Sequence, residues 1–311
     1  MKVSIIGIGR VGSTLAYTLT LRGVCGELML VNRSPNAAIG DMYDLQHALP
    51  FLDKPMDIRS GEVTDVAGSN VVVVTCSAPM RADFADRNEL AIENVAMFRD
   101  LIPKIAAAAP ESVLLILSNP VDVLTYYALK FSGFSSSRVL GSGTLIDSAR
   151  FRSMLSQEVD IHPDDLRAYI LGEHGQTQFA VMSAAQAGGE PIYDTPARRQ
   201  LLKEAVQAGF KIFDYKGYTN YAVSMAATVI IECIVHDTRR TLPASVYIDG
   251  YYGERDVCLS MPVVVGEHGV ERVLQPKLND EELAAFRHSA EVVRSVIAAS
   301  RTAATPRENK S

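Results

Sequence analysis

Short apolar runs rich in β-branched residues recur as far as Leu145, and each is followed by a longer stretch with apolar residues at helical spacing. Lys2–Ile6, Glu27–Val31, Asn70–Thr75 and Val113–Ser118 predict strands, and Arg138–Gly141 predicts a shorter one. Between them Val11–Arg22, Ala37–Leu49, Arg87–Ala109 and Val121–Phe131 predict helices, with a kink at Pro103. Strands alternating with helices need right-handed crossovers, so this half predicts an α/β fold: a doubly wound parallel sheet of the Rossmann type. After Leu145 the rhythm changes. A helix over Leu145–Val159 precedes strands near Leu166–Leu171 and Phe179–Met182 and two long helices over Pro196–Phe213 and Gly217–Arg239. Strand-like runs within Ser245–Val265 and a last helix over Asn279–Ala299 complete a second, α+β domain. The expected organisation is a dinucleotide-binding domain over 1–143, a substrate and catalytic domain over 144–300, and a frayed polar tail over 301–311.

Composition narrows the class. The 311 residues carry a formal net charge of −6, which argues against a nucleic-acid partner. No apolar run approaches the ~18–20 residues that cross a bilayer. Gly7 breaks the first apolar stretch before it resembles a secretory leader, so a cytoplasmic protein with no membrane partner is expected. Cys25, Cys76, Cys233 and Cys258 lie far apart with no Cys-x-x-Cys and no clustered His, and read as reduced packing thiols with no bound metal.

The first chemical signal is Gly7-Ile8-Gly9-Arg10-Val11-Gly12, directly after a predicted strand and opening a helix. Gly7 permits the tight turn, Gly9 lets backbone approach a pyrophosphate, and Gly12 allows close packing of helix on strand. The unpaired N–H groups and positive dipole of the helix amino end suit the phosphates. About twenty residues on, where a carboxylate would grip the ribose hydroxyls of NAD, stands the neutral Asn32 followed by Arg33. Losing the anion and gaining a guanidinium favours a 2′-phosphate, so NADP is expected to be at least competitive with NAD.

Four further segments carry polar groups suited to one reaction. Ser118-Asn119-Pro120-Val121-Asp122 follows a strand, which places Asn119 at a carboxyl end, where doubly wound sheets bind ligands. Gly143 to Arg150 puts Asp147 and Arg150 at i and i+3 on one helix face. Leu171-Gly172-Glu173-His174-Gly175 ends a strand-like run with a His flanked by glycines, and Arg87 opens a helix after an irregular segment. Oxidising a secondary alcohol needs a base for the hydroxyl proton while hydride leaves carbon, and a His suits both directions. A carboxylate on its far nitrogen fixes the tautomer, and an Arg fork matches a substrate carboxylate. Gly-Glu-His-Gly occurs twice, but the second copy, Gly266-Glu267-His268-Gly269, lies between strand-like runs and reads as a hairpin turn with His268 in solvent. His47, His162, His236 and His288 read as structural.

Taken together, order and spacing make the chain resemble the L-lactate/malate dehydrogenase family from Lys2 to about Ala290, slightly closer to its lactate branch. Further matching stretches are Asp44-Leu45-Gln46-His47-Ala48, Lys216-Gly217-Tyr218-Thr219-Asn220-Tyr221-Ala222 and Pro262-Val263-Val264-Val265-Gly266. The resemblance implies His174 as acid/base, Asp147 as its orienting carboxylate, Arg150 as the substrate-carboxylate clamp, Arg87 as the loop Arg and Asn119 as the residue on the reacting oxygen. Expected cofactor contacts are Gly7, Gly9, Arg10, Val11, Gly12, Asn32, Arg33, Thr75 and Asn119. Departures are Cys76 and Ser77, where the family usually has Ala-Gly, and a loop from Met80 to Asp86 that lacks Pro-Gly and is one residue longer. That insertion leaves the substrate-reading position open: counting back from Arg87 gives Arg81, the malate answer, and counting forward from Thr75 gives Met80, the lactate answer. Thr219 matches the lactate type, and Asp83 and Asp86 beside Arg81 disfavour a dicarboxylate, so lactate/pyruvate is expected over malate/oxaloacetate. By the same resemblance, Arg152 and Arg167 match a subunit-interface site for fructose 1,6-bisphosphate, and a homodimer or homotetramer is implied. The rival readings are a non-catalytic nucleotide-binding protein and an NAD-dependent glycosidase, the latter lacking the Cys and His pairing its metal wants.

Overall fold

Residues 1–78 and 87–305 are described by a computed structural model, the side chains of Arg87 and Asn88 apart. The first half contains β1 (Lys2–Ile6), α1 (Arg10–Arg22), β2 (Glu27–Val31), α2 (Pro35–Ala48), β3 (Asp57–Gly61) and β4 (Val71–Val74). It continues with α3 (Arg87–Ala108), β5 (Val113–Ile116), α4 (Val121–Ser132) and β6 (Val139–Gly141). The second half begins with α5 (Leu145–Val159), β7 (Leu166–Arg167), β8 (Ile170–Leu171), β9 (Phe179–Ala180), β10 (Gln186–Ala187) and β11 (Glu190–Pro191). Then come α6 (Pro196–Lys216), α7 (Tyr221–Val235), β12 (Arg240–Asp249), β13 (Arg255–Gly266), β14 (Gly269–Val273), α8 (Asp280–Ala299) and α9 (Arg301–Ala304).

The strands β3-β2-β1-β4-β5-β6 pair in that order and run parallel, the doubly wound arrangement expected. Helices cover both faces of such a sheet, so its inner strands are apolar without alternation, and Val71-Val72-Val73-Val74 is buried at every position. The chain crosses over in opposite directions from β1 and β4, which opens a crevice at their carboxyl ends. Gly7 and Thr75, the residues just past those ends, border it. The sheet does not stop at the expected domain boundary. Ser245 of β12 pairs antiparallel with Gly141 of β6, and β13 and β14 extend the same sheet beyond it.

Some details depart from what the sequence predicts. β3 was not expected, because of its residues only Ile58 is buried and no apolar run announces it; it forms as an edge strand on β2. Helix α6 runs on to Lys216 and stops at Gly217 in the left-handed region, so α7 starts only at Tyr221. The tail expected to fray from 301 continues as α9, whose end is fastened by Arg99 Nη1 donating to the carbonyls of Ala303 (2.8 Å) and Thr305 (3.1 Å). Residues 306–311 lie outside the described residues.

A second, smaller core matters for the site. Phe151 and Leu155 of α5 pack with Leu166, Ile170 and Ala205, and this fixes the rotation of the helix that carries Asp147 and Arg150. Its amino end is sewn to β8: Thr144 Oγ1 donates to the Ile170 carbonyl (2.5 Å), and Ile170 N–H donates to Ser148 Oγ (2.9 Å).

Candidate active site

That seam brings the end of β8 against the first turn of α5. Beyond Leu171 the chain turns at Gly172 (φ +89°), where a Cβ would meet Ser289 Oγ at 2.5 Å, and the turn delivers His174 over Asp147. His174 Nδ1 lies 2.6 Å from Asp147 Oδ2, and Arg150 Nη1 lies 3.1 Å from Asp147 Oδ1. Asp147 is 2% exposed, whereas the His174 ring keeps 25% of its surface and Arg150 borders an open cavity. Burial works against a charged imidazole, but the charge and hydrogen bond of Asp147 outweigh it and hold His174 above its ordinary value. Burial likewise works against the Asp147 carboxylate, and His174 and then Arg150 overcome it, holding Asp147 below the usual range. With Nδ1–H donated to Asp147, Nε2 is the nitrogen free to exchange a proton with a ligand.

The crevice at the ends of β1 and β4 fits a dinucleotide. Gly7 has φ +106° and a Cβ there would meet Cys76 N at 2.6 Å, while a Cβ on Gly12 would collide with the Gly7 carbonyl. Gly9 differs: among the described residues no atom lies within 4 Å of where its Cβ would stand, so the bare backbone is open there at the amino end of α1. No side chain among the described residues caps that end, which leaves its N–H groups for an anion. Thr75 braces the turn, its hydroxyl donating to the Gly7 carbonyl at 2.5 Å. Asn32 Oδ1 accepts the Ile8 N–H at 3.1 Å, and Arg33 is exposed. Arg10 lies 3.9 Å from the centre of the Tyr218 ring, next to Thr219; Asn220 donates to Thr14 Oγ1 (2.8 Å) and Ser224 to the Val11 carbonyl (3.2 Å). The loop before α7 is thereby docked on the glycine-rich turn.

Asn119 follows β5 and is exposed at the same carboxyl edge. Arg87 is the first residue of α3, but its side chain, like Met80 and Arg81 entirely, lies outside the described residues. Arg152 and Arg167 do come together, along a cavity of about 1650 Å³ that Arg240 and Arg150 also line. Arg152 Nε is buried with no partner among the described residues, and burial lowers its guanidinium from the ordinary value. His268 sits at the β13–β14 hairpin and is exposed. Among the described residues no group of three or more His, Cys, Asp or Glu could hold a metal, and no helix is long and apolar enough to cross a membrane.

Comparison with known proteins decides the family. Residues 1–141 match the model of the lactate/malate dehydrogenase NAD-binding domain, and residues 144–303 match that of the lactate/malate dehydrogenase alpha/beta C-terminal domain. The chain belongs to the lactate/malate dehydrogenase family. It is 41% identical to an L-lactate dehydrogenase of Thermoanaerobacterium saccharolyticum over 306 residues, covering 95% of this chain and 98% of that protein. A second relative, an L-lactate dehydrogenase of Geobacillus stearothermophilus, is 36% identical over 96% of each chain. Among solved structures it resembles a lactate dehydrogenase from a Medee basin deep-sea metagenome library, with a TM-score of 0.93 and 32% identity over 96% of this chain and 98% of that one.

Two residues of this lactate/malate dehydrogenase family member escaped the sequence reading. Asn94, fully buried on α3, accepts the Ala78 N–H (2.6 Å) and donates to the Asn119 carbonyl (2.8 Å), tying the ends of two crevice loops together. Asp122 stands in the segment that points to Asn119, and its carboxylate accepts the main-chain N–H of His174 at 2.7 Å. Neither partner is near in sequence, so only an apolar helix interrupted by a polar residue signals them.

Proposed function

We propose that this protein is an L-lactate dehydrogenase that interconverts pyruvate and L-lactate, with His174 as the proton donor and acceptor. The observation that carries the reading is the Arg150–Asp147–His174 constellation, in which one carboxylate holds a partially exposed imidazole and a guanidinium, with His174 tied through Asp122 to the segment that follows β5. A nicotinamide held in the crevice at the ends of β1 and β4 would supply or take the hydride at C2. Arg150 grips the carboxylate of the keto acid: Asp147 engages Nη1 only, among the described residues, which leaves the remaining donors of the fork. Arg87 and Asn119 polarise and hold the reacting oxygen. In reduction, protonated His174 gives its Nε2 proton to that oxygen as C2 gains the hydride; in oxidation it takes the proton back. Asp147 keeps the tautomer and balances the imidazolium throughout.

Similarity along the whole chain to proteins named L-lactate dehydrogenase supports pyruvate as the substrate, together with Thr219 in the loop docked on Arg10. Arg81 is the residue that argues for oxaloacetate. A panel of pyruvate, oxaloacetate and branched keto acids with NADH and NADPH tests the reading. Pyruvate should have the highest kcat/KM, and Arg81→Gln should spare it. Oxaloacetate as the better substrate, collapsing in that variant, would make this a malate dehydrogenase.

The cofactor reading is that NADP(H) at least competes with NAD(H), because Asn32 leaves no carboxylate to repel a 2′-phosphate and Arg33 is exposed beside it. Asn32→Asp keeps an acceptor for the Ile8 N–H and adds the missing charge, so it should shift kcat/KM towards NADH. A wild-type preference for NADH above about a hundredfold, some 2.7 kcal/mol of discrimination, would overturn it.

The protein works as a homodimer or homotetramer on this reading. Arg152 and Arg167, with Arg240, line the cavity in which a sugar bisphosphate would be held. Running the panel with and without fructose 1,6-bisphosphate tests that site, and unchanged substrate affinity means no effector.

A further inference from the structure

His174 is held from two sides. Asp147 takes its ring Nδ1–H, and Asp122, from the first turn of α4, takes its main-chain N–H through Oδ2. The other Asp122 oxygen accepts the hydroxyl of Ser245 on β12 at 2.6 Å. The Asp122 side chain is 2% exposed and pairs with no cation among the described residues. An unpaired carboxylate in such a place is unfavourable compared with a neutral amide of the same shape. Asparagine would make the same two bonds, accepting from His174 and donating to Ser245 Oγ. Positioning alone therefore does not call for an acid at 122; a charge does something that a neutral acceptor would not.

The group that benefits is the imidazole one peptide unit away. We propose that Asp122 is a positioning residue for His174 and that its negative charge, added to that of Asp147, sustains the imidazolium needed for reduction. This rests on the reading of His174 as the acid/base. The groups facing Asp122 are Glu173 and His174 from the turn after β8, Ser245 from β12 and Cys258 from β13; those facing His174 are Asp147 and Arg150 from α5 and Asp122 from α4. Burial pushes Asp122 up to about 6, with the bonds from Ser245 and the His174 backbone holding it from rising further. It is ionised at neutral pH and above, and its charge acts with that of Asp147 in favouring the protonated His174 ring.

The charge also carries a stability signature. A carboxyl whose folded value lies above its unfolded value binds more protons folded than unfolded between about 4 and 6, so stability falls as pH rises through that window. Above pH 6 the ionised Asp122 is a net burden on the fold, and Asp122→Asn should melt no lower than the wild type.

The test is an NMR titration of the His174 ring in full-length wild type and Asp122→Asn, with pH profiles of kcat and KM for pyruvate reduction. The expected result is a ring titration lower by about one unit, as for loss of one charge at short range in a partly buried site. Reductive kcat at pH values above the wild-type ring titration should fall about tenfold, with pyruvate KM little changed and Tm equal or higher. Asp122→Ala, which loses the bond as well, should fall further, so that Asn counts as partial rescue. Should Asp122→Asn fail to fold, Ser245→Ala removes a bond that favours the ionised Asp122 and should move the ring titration the same way by less. If neither variant moves it, Asp122 is merely structural. Wild-type activity that does not follow the ring titration at all would instead remove the acid/base reading itself, and this proposal with it.

Discussion

His174→Asn should lower kcat for both directions by about 10²–10⁴-fold, the usual worth of a positioned acid/base, while leaving cofactor affinity close to that of the wild type. Asparagine fits the space, but it cannot carry a proton between Asp147 and a ligand. The phosphate-binding elements, the bare backbone at Gly9 and the uncapped end of α1, belong to a different part of the chain and should be untouched. Turnover is followed by absorbance of the reduced nicotinamide, and affinity by its fluorescence in the absence of substrate. A variant that kept more than a few per cent of wild-type kcat would remove His174 from the role. The wild-type pH profile has a defined sign. Reduction uses the protonated ring, so its rate is full below the raised value held by Asp147 and declines as pH climbs through it; oxidation shows the converse. Removing the carboxylate with Asp147→Asn should bring both transitions to lower pH.

How much of this was visible in the chain depends on whether the cause is local. The parallel core was legible because helices on both faces force whole strands to be apolar, as in Val71–Val74. The glycine-rich turn was legible because each of its glycines answers a steric demand within a few residues. β3 was not, because an edge strand needs only Ile58 in the core and takes its shape from the backbone of β2. The two copies of Gly-Glu-His-Gly make the point most directly. Identical local sequence gives a hairpin corner at His268 and a candidate proton carrier at His174, and the difference is supplied by residues elsewhere: Asp147 beneath one ring, open solvent around the other. Spacing from Asp147 and Arg150 separated them in the sequence. The Asp122 bond to the His174 backbone could not be read that way. Ser245, which completes it, sits 123 residues further along and reaches the site only because β12 joins β6 at Ser245 and Gly141.

Arg150→Leu should lower kcat/KM for the keto acid by about 30- to 5000-fold, corresponding to the loss of roughly 2–5 kcal/mol when one partner of a hydrogen-bonded charge pair is truncated. The guanidinium is set for the task on two sides. It is anchored by Asp147 Oδ1 at 3.1 Å and lies against Gly209 of α6, where even an added Cβ would stand 3.4 Å from Nη1. Charge and geometry can be separated here. Arg150→Lys keeps a cation beside Asp147 but loses the planar fork, so substrate affinity should fall while the His174 titration stays close to its wild-type position. Arg150→Leu also removes a positive charge that opposes protonation of His174, so the ring should titrate at higher pH than in the wild type. The Asp147 carboxylate, deprived of one of the two cations that hold it down, should move up at the same time. Steady-state kinetics with pyruvate and an NMR titration of the ring read these effects independently. A leucine variant whose kcat/KM stayed within tenfold of the wild type would place the carboxylate clamp on another residue, and an unmoved ring titration would mean that Arg150 does not share the electrostatic unit formed by Asp147 and His174.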